Sequence, residues 1–452
     1  MAVAEWLLAA STREIALFAG VGLLIGGIDD AVIDLLWLSR TIWRRLTVYR
    51  RYQRITATTL APASRPGRLA LFVAAWQEAG VIGPMLENAL SCLQHDDYRI
   101  YVGTYPNDPE TIAAVREVRD PRVRLVTGTV PGPTTKADFL NRLWDALLMD
   151  EANSDTLYKA VIIHDAEDVV HPMELRVFDA LIERFAFIQL PVLPLIDPGS
   201  RWISGSYIDE FAEAHGRQLA MREALGAGLP AAGVGCAIAR RAIGRIARDA
   251  GGPPFDATSL TEDYEIGLRL RQNGVRAAFV SMPAAPGKPL VAVRAYFPAT
   301  LDAAVRQKTR WITGIALAGW DRLRWHGGVA EYWMRLRDRR SVLAAAILAA
   351  SYAALVLDAL CRFLHVPIDW PGWAHPLFAA NAMLLAWRAT MRLAMVTRLY
   401  GAAEGCRSVP RMIVSNIITM MAARRALFRY VPGAPPSWDK TAHHFPETVP
   451  CD

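Results

Sequence analysis

Residues 161–170 constrain the fold more strongly than any other stretch, because an apolar run there ends abruptly in three carboxylates. The run Val161-Ile162-Ile163 is typical of a strand buried in a parallel sheet. Asp165, Glu167 and Asp168 follow it directly. Ligands of open α/β sheets bind at the carboxyl ends of the strands, and crowded acids favour a hard divalent cation. The stretch therefore predicts a metal site, with a solvated acidic turn as the alternative.

The composition indicates a membrane protein with a sizeable soluble part. Of the 452 residues, 53% are hydrophobic, and the mean hydropathy is +0.17. The net charge is +6, and much of the basic excess flanks apolar segments, which suits a cytoplasmic membrane face with anionic lipids. No basic block is interleaved with aromatic residues in the manner of nucleic-acid-binding proteins, so no nucleic-acid partner is expected.

Strand and helix patterns alternate through the first half of the chain. We predict strands at residues 69–76, 98–104, 123–126, 161–164 and 187–195. We predict helices at residues 81–93, 109–116, 137–148 and 172–185, the second of them with Asp108 as N-cap and Pro109 at its first position. This succession predicts an α/β fold with a doubly wound, mostly parallel sheet. Residues 196–235 read as a less regular insertion over this core, whose length favours a functional role.

The first apolar segment centres on residues 15–28, and a group of arginines follows it between residues 40 and 54. The positive-inside rule places that end in the cytoplasm and the N-terminus outside. A cleaved signal peptide is the weaker alternative, because the basic flank follows the apolar run. Residues 302–325 form an amphipathic pattern rich in Trp and Arg, which predicts a helix lying in the membrane interface.

Residues 341–361 are apolar and long enough to cross a bilayer, and residues 377–397 are predicted to return to the cytoplasm. Residues 412–421 are short, so we predict an interfacial or re-entrant helix there, with a fourth crossing as the alternative. Arg388 lies about twelve residues into its segment. Because arginine in lipid is costly, we expect it to face the first membrane helix or a polar passage.

These patterns divide the chain into consecutive regions. The predicted regions are an N-terminal membrane helix with its basic flank at 1–55, a catalytic α/β domain at 56–297, amphipathic interfacial helices at 298–340, C-terminal transmembrane and interfacial helices at 341–430, and a cytoplasmic tail at 431–452.

Four stretches that can carry chemistry occur in a fixed order. They are residues 73–78 at the end of the first strand, the acidic stretch, Thr261-Glu262-Asp263, and Gln307-Lys308-Thr309-Arg310-Trp311. Thr-Glu-Asp alone is a common helix N-terminus with Thr261 as the cap. Gln-x-x-Arg-Trp alone fits an interfacial anchor. Their order after an acidic strand end and beside membrane segments is a much stronger signal than any one of them.

Together these stretches resemble the membrane-embedded family 2 glycosyltransferases, the group that includes cellulose and hyaluronan synthases. The resemblance is more specific to the NfrB-like proteins, the glycosyltransferase part of bacteriophage adsorption protein B, and covers nearly the whole chain. Further matching residues are Val48-Tyr49-Arg50-Arg51-Tyr52, Gly103-Thr104-Tyr105-Pro106-Asn107-Asp108-Pro109, Tyr207-Ile208-Asp209-Glu210-Phe211, Ala232-Gly233-Val234-Gly235 and Trp438-Asp439-Lys440-Thr441. The resemblance implies a GT-A (Rossmann-like) fold, a nucleotide-sugar donor and a divalent cation, Mg²⁺ or Mn²⁺.

The resemblance also implies roles for individual residues. Asp165 and Glu167 match the family's Asp-x-Asp metal ligands, and Asp168 is a third, less certain ligand. The implied catalytic residues are Asp263 as base and its neighbour Glu262 in the same motif. The implied substrate-binding residues are Glu78 and Asp108 for uridine, Lys136, Gln307 and Arg310 for the diphosphate, and Trp311 for the acceptor sugar. Helix-capping carboxylates and an exposed lysine are the alternatives for Glu78, Asp108 and Lys136.

The resemblance implies that the protein is an inverting, metal-dependent hexosyltransferase. It also implies a multi-pass protein of a bacterial inner membrane, with the catalytic domain in the cytoplasm. For NfrB-like proteins the resemblance points to UDP-N-acetylmannosamine as donor and an exopolysaccharide product, with membrane lipids and an outer-membrane export protein as partners. Transfer of one sugar to a lipid-linked acceptor is one alternative, and a non-catalytic phage-receptor or scaffold component is another.

The sequence departs from the family in two places. Gln77 stands where the family usually has Asn, and longer relatives continue beyond the equivalent of Asp452 into a cyclic-di-GMP-binding module. We therefore do not expect direct regulation by that nucleotide.

Overall fold

The computed structural model describes residues 2–431 and 443–446. The matching residues 438–441 and most of the predicted tail lie outside the described residues. The strands are β1 (Leu69–Ala74), β2 (Tyr98–Thr104), β3 (Val123–Thr127), β4 (Ala160–Asp165), β5 (Phe187–Gln189), β6 (Cys236–Ala239) and β7 (Ala277–Phe279).

The helices of the first part are α1 (Ala2–Leu46), α2 (Val48–Arg51), α3 (Ala79–Cys92), α4 (Pro109–Glu117), α5 (Lys136–Ser154), α6 (Glu174–Leu181), α7 (Ser204–Glu213), α8 (Leu219–Ala224), α9 (Arg240–Ala250) and α10 (Glu262–Gln272). Those of the second part are α11 (Leu301–Trp311), α12 (Gly319–Leu323), α13 (Val329–Arg339), α14 (Ser341–Phe363), α15 (Ala374–Tyr400) and α16 (Ala402–Tyr430). Two π-helical segments, Ala214–Gln218 and Ile312–Ala318, connect α7 to α8 and α11 to α12.

The seven strands form a single sheet in the order β3-β2-β1-β4-β6-β5-β7. Only β6 is antiparallel to its neighbours, β4 and β5, so the predicted mostly parallel, doubly wound sheet is confirmed. In the register, Ala74 of β1 pairs with Gly103 of β2 on one side and with Asp165 of β4 on the other. The carboxyl ends of these three central strands therefore lie at one edge of the sheet.

The central strands are apolar along their whole length because helices cover both faces of the sheet. Every residue of β1 is buried, and so is β4 up to His164. Helices such as α3 and α5 bury their apolar faces against these strands, with Leu86 and Leu143 fully excluded from solvent. Because both faces of these strands are buried, their sequences are continuously apolar and do not alternate between apolar and polar residues.

The insertion at residues 196–235 is more regular than we expected. It contains α7, the first π-helical segment and α8, which pack against the membrane-proximal helices. Asp209 of α7 forms a fully buried bidentate pair with Arg411 of α16, with N···O distances of 2.7 and 3.0 Å. The insertion thus joins the α/β domain to the C-terminal helices.

Two helices, spanning Val3–Arg51 and Ser341–Phe363, are long and apolar enough to cross a membrane. They pack against each other, and α15 packs along the first of them. The expectation that Arg388 faces the first membrane helix is confirmed, because its Nη1 lies 3.3 Å from Asp30 Oδ2. Asp30 also pairs with Arg340 at 3.0 Å, so the acid and the arginines neutralise one another between helices.

Two helix predictions need correction. Residues 412–421, expected to form a short helix of their own, are the middle of the 29-residue helix α16, which continues through Pro410. The helix predicted at 302–325 starts at Leu301, but its middle is π-helical from Ile312 to Ala318. Both regions pack against neighbouring helices, and such packing is not visible in a local sequence pattern.

Candidate active site

The edge of the sheet where β1, β2 and β4 end carries most of the candidate residues. Glu78 follows β1, Asp108 follows β2, and Asp165 ends β4 with Glu167 in the next turn. Because the registers align the ends of these strands, side chains from three separate sequence stretches share one edge. This is the position at which open α/β sheets bind ligands.

Asp108 holds two elements of this edge together. Its Oδ1 accepts a hydrogen bond from Thr111 N at 3.3 Å, which confirms the predicted N-cap of α4. Its Oδ2 accepts from Gln77 N at 2.6 Å, and Glu78 N donates to Thr111 Oγ1 at 2.9 Å. Gln77 has a φ of 54°, a conformation that asparagine adopts more readily than glutamine, so the departure at this position carries some backbone strain.

Glu78, Glu167 and His443 form a compact cluster. Each offers one ligand atom, and these atoms lie within 4.8 Å of one another. His443 Nδ1 lies 2.8 Å from Glu78 Oε1 and 3.3 Å from Glu167 Oε2. Burial raises the pKa of Glu167 to about 8, opposed by His443 and reinforced by the nearby carboxylates. The pKa of His443 rises to about 9 because Glu167 and Glu78 outweigh the effect of burial.

His443 could not be recognised from the sequence pattern. It lies hundreds of residues from its partners, in the described stretch 443–446, none of whose residues belongs to a helix or strand. No metal-ligand spacing relates it to Glu78 or Glu167, so only the three-dimensional contact reveals its place in the cluster.

Lys136, the first residue of α5, reaches into the same site. It forms an ion pair with Asp165, and its Nζ donates to the carbonyl of Gly233 at 3.2 Å. Burial alone would lower the pKa of Lys136, but Asp165 and Glu262 more than offset that effect, and the pKa lies above its usual value. The ammonium is therefore charged, and it links β4 to the glycine-rich loop at the end of the insertion.

Glu262 and Asp263 begin α10 opposite Lys136. Burial raises the pKa of Glu262 to about 7, with the neighbouring Asp263 adding to the rise. Burial also raises the pKa of Asp263, while Lys136 opposes that rise. Thr261 occupies the predicted N-cap position of α10, but its side chain makes no capping hydrogen bond. Among the described residues its buried hydroxyl has no hydrogen-bond partner.

The glycine-rich loop approaches Asp263 very closely. Gly233 has a φ of +77°, and a Cβ built on it would lie 2.6 Å from Asp263 Oδ2. Ordinary contacts with a Cβ begin at 3.4 Å, so no other residue fits here without moving the carboxylate. This close approach explains the glycine in Ala232-Gly233-Val234-Gly235.

The Gln-x-x-Arg-Trp residues lie on α11, which borders the same space. Arg310 Nη1 donates to the carbonyl of Leu260 at 3.3 Å. A small cavity is lined by Thr135, Lys136, Ser259, Leu260, Glu262 and Arg310. Gln307 Oε1 is buried without a hydrogen-bond partner in the described part of the chain. Two cations, Lys136 and Arg310, thus border this small cavity together with the carboxylate of Glu262.

Trp311 lies in an aromatic cluster beside this cavity. Its ring stands edge-on to those of Tyr207 and Phe211, with centroid distances of 6.0 and 6.4 Å. Both partners belong to α7 and were quoted above as matching residues. The insertion therefore supplies the surroundings of Trp311 and borders the site.

Asp168 is placed differently from the other two acids of its stretch. It is 1% exposed, and its Oδ2 accepts hydrogen bonds from His164 Nδ1 at 2.9 Å and from Asp165 N at 3.0 Å. The structure therefore brings Asp165 and Glu167 to the site and turns Asp168 Oδ2 towards the sheet interior.

The carboxyl edge of a mostly parallel sheet here brings together several acids, a half-buried lysine and an arginine. Residues 66–314 match the family described as glycosyltransferase like family 2, and the chain belongs to this family. The fold is accordingly of the GT-A type.

The comparisons with individual proteins agree with this assignment. The chain is similar to bacteriophage adsorption protein B of Escherichia coli (strain K12) and to bacteriophage N4 adsorption protein B of Escherichia coli O157:H7. Each is 40% identical over 99% of this chain and 64% of its own length, so the chain spans a little under two thirds of these relatives. A mannosyltransferase from Pyrobaculum calidifontis, solved in complex with GDP-Man and Mn²⁺, superposes with a TM-score of 0.58 at 15% identity. That match covers 93% of this chain and 99% of the other, and it shows the fold.

Proposed function

We propose that this protein is an inverting, metal-dependent glycosyltransferase that transfers a sugar from a UDP-sugar to a growing exopolysaccharide. The observation that carries the proposal is the convergence of Lys136, Asp165 and Asp263 around Gly233. Lys136 bridges the strand end and the glycine loop, and the half-buried carboxylate of Asp263 approaches the same loop. A cation for the leaving group and a base for the acceptor are the two functions that glycosyl transfer from a diphosphate requires.

The donor set at the strand ends fits a divalent metal. Glu78 and Glu167 supply carboxylate oxygens and His443 an imidazole nitrogen within 4.8 Å of one another. Asp165, which forms an ion pair with Lys136, ends the neighbouring strand β4. The raised pKa of Glu167 reflects burial among like charges, a situation that a divalent cation relieves. We propose that Asp165 and Glu167 hold Mg²⁺ or Mn²⁺, with His443 as a further ligand. When bound, the metal would neutralise the charge that develops on the leaving diphosphate.

Lys136 and Arg310 are proposed to hold the donor diphosphate, together with Gln307. The two cations line one cavity, and arginine suits a bidentate grip on phosphate. Glu78 and Asp108 are proposed to contact the uridine, since both lie at the ends of neighbouring strands. The choice of UDP, and of N-acetylmannosamine as the sugar, rests on the resemblance to NfrB-like proteins.

Asp263 is proposed as the catalytic base. Its carboxylate accepts the proton of the acceptor hydroxyl while that oxygen attacks the anomeric carbon, and the bond to the diphosphate breaks on the opposite face. A single displacement of this kind inverts the anomeric configuration. Glu262 lies beside it at the start of α10, where its carboxylate helps to raise the pKa of Lys136. Trp311 is proposed to stack against the acceptor sugar.

The membrane helices suggest where the product goes. We propose a multi-pass arrangement in a bacterial inner membrane with the catalytic domain in the cytoplasm, contacts with membrane lipids, and delivery of the polymer to an outer-membrane export protein. Two observations support this arrangement. Two helices are long and apolar enough to cross a membrane, and Arg388 of α15 forms an ion pair with Asp30 of α1. A lipid-linked acceptor would reach the catalytic domain from the cytoplasmic face of that membrane.

The test is nucleotide release by the full protein purified in detergent and supplied with UDP-N-acetylhexosamines and Mn²⁺ or Mg²⁺. We expect release that stops with EDTA and in Asp165→Asn, while the exposed carboxylate variant Asp249→Asn serves as the matched control. Full activity in EDTA or in Asp165→Asn would contradict the metal assignment.

A further inference from the structure

A fully buried imidazole lies between two carboxylates directly behind the proposed metal site. His164 Nδ1 is 2.9 Å from Asp168 Oδ2, and His164 Nε2 is 2.9 Å from Glu174 Oε1. The three side chains are 0%, 2% and 0% exposed. Burying three ionisable groups is costly unless each is hydrogen-bonded, and here the histidine is bonded on both sides.

This group of three, which we call the buried triad, is connected to the backbone at both ends. Asp168 Oδ2 also accepts from Asp165 N at 3.0 Å, and Asp168 N donates to Asp165 O at 3.2 Å. Glu174 Oε2 accepts from His171 N at 3.2 Å at the start of α6. The bonds therefore run without interruption from the backbone of Asp165, through the triad, to the loop that precedes α6.

We propose that Asp168, His164 and Glu174 are positioning residues that fix the turn carrying Asp165 and Glu167, and that Asp168 is not itself a metal ligand. This rests on the proposed function, in which Asp165 and Glu167 hold the metal. The side chain of Asp168 bonds the backbone of the first ligand, and His164 fixes the orientation of that side chain. Groups that orient metal ligands through hydrogen bonds commonly change metal affinity by about 10–100-fold when they are removed.

Two replacements of Asp168 separate positioning from ligation. In Asp168→Asn the amide oxygen can still accept from both His164 Nδ1 and Asp165 N, although the charge is lost. In Asp168→Ala both bonds are lost. A positioning role predicts that Asp168→Ala weakens metal binding by about 10–100-fold and Asp168→Asn by clearly less. A ligand role predicts that Asp168→Asn is as damaging as Asp165→Asn.

Replacements of His164 and Glu174 test the rest of the triad. Asparagine places an N–H donor near the position of Nδ1, whereas glutamine places one near Nε2. We therefore expect His164→Asn to bind metal better than His164→Gln, because only the former keeps the bond to Asp168. Glu174→Gln should have a smaller effect than Asp168→Ala, since it leaves the bond between Asp168 and Asp165 in place.

The measurement is an electron paramagnetic resonance titration of the full protein in detergent with Mn²⁺ alone, which reports bound metal without turnover. Thermal unfolding of each variant confirms that it is folded. Loss of Mn²⁺ binding in Asp165→Asn and Asp168→Ala, with retention in Asp168→Asn, is the expected result. Wild-type affinity in Asp168→Ala, or equal losses in Asp168→Asn and Asp165→Asn, would overturn the inference. If Asp165→Asn bound Mn²⁺ like the wild type, the proposed metal site itself would be wrong.

Discussion

Replacing Gly233 with alanine should damage catalysis far more than stability. The new Cβ would lie 2.6 Å from Asp263 Oδ2, where ordinary contacts begin at 3.4 Å, so the carboxylate must move by roughly 1 Å. The end of a side chain moves easily, and the main energetic cost is the left-handed backbone, about 1–2 kcal/mol for an L-residue. A displacement of about 1 Å at a reacting group can cost on the order of 10²-fold in rate. We therefore expect kcat to fall by about 10²-fold.

Gly251 provides the matched control. It has a φ of +63° at the end of α9, and a Cβ there would meet nothing within 4 Å in the described part of the chain. Gly251→Ala should carry the same left-handed strain without touching the site. The assay is nucleotide release at saturating donor, with thermal unfolding and equilibrium UDP binding measured alongside. Equal kcat values for the two variants would refute the idea that Gly233 keeps space for Asp263.

Further predictions concern the helices beyond the catalytic domain. Arg411→Leu breaks the buried pair with Asp209, so it should destabilise the protein by about 3–5 kcal/mol. Arg362→Leu breaks a pair in which Arg362 is 77% exposed, so it should hardly change the unfolding midpoint. Thermal unfolding in detergent compares them, and similar midpoints would contradict the argument. Arg388→Leu should insert normally but lower polymer yield more than donor hydrolysis. An unchanged polymer yield would count against a passage at that contact.

The central strands were predictable because their signals are local. The segment predicted at 98–104 is the strand Tyr98–Thr104, and two-sided burial produces the unbroken apolar runs of β1 and β4. The Asp108 cap was predictable for the same reason, since the capping carboxylate and the backbone N–H that donates to it lie three residues apart. Where neighbours in sequence provide the interactions, the sequence pattern was sufficient.

Other features depend on contacts between distant residues. Strand β6 has only four residues, and its antiparallel pairing with β4 and β5 follows the path of the whole insertion. His443 reaches Glu78 from the other end of the chain without any spacing signal. The different orientation of Asp168 arises from its bond to the buried His164. These arrangements result from tertiary packing, which no window of sequence contains.

The proposal that Asp263 is the base can be tested most directly by comparing Asp263→Asn with the wild type in two assays. One assay measures equilibrium binding of UDP and GDP, and the other measures nucleotide release from the matching sugar donors in Mn²⁺. We expect unchanged UDP affinity in the variant and a fall in turnover of about 10²–10⁴-fold, because only the base is lost. Turnover near the wild-type rate, or loss of nucleotide binding in Asp263→Asn, would contradict the role of Asp263 as the base.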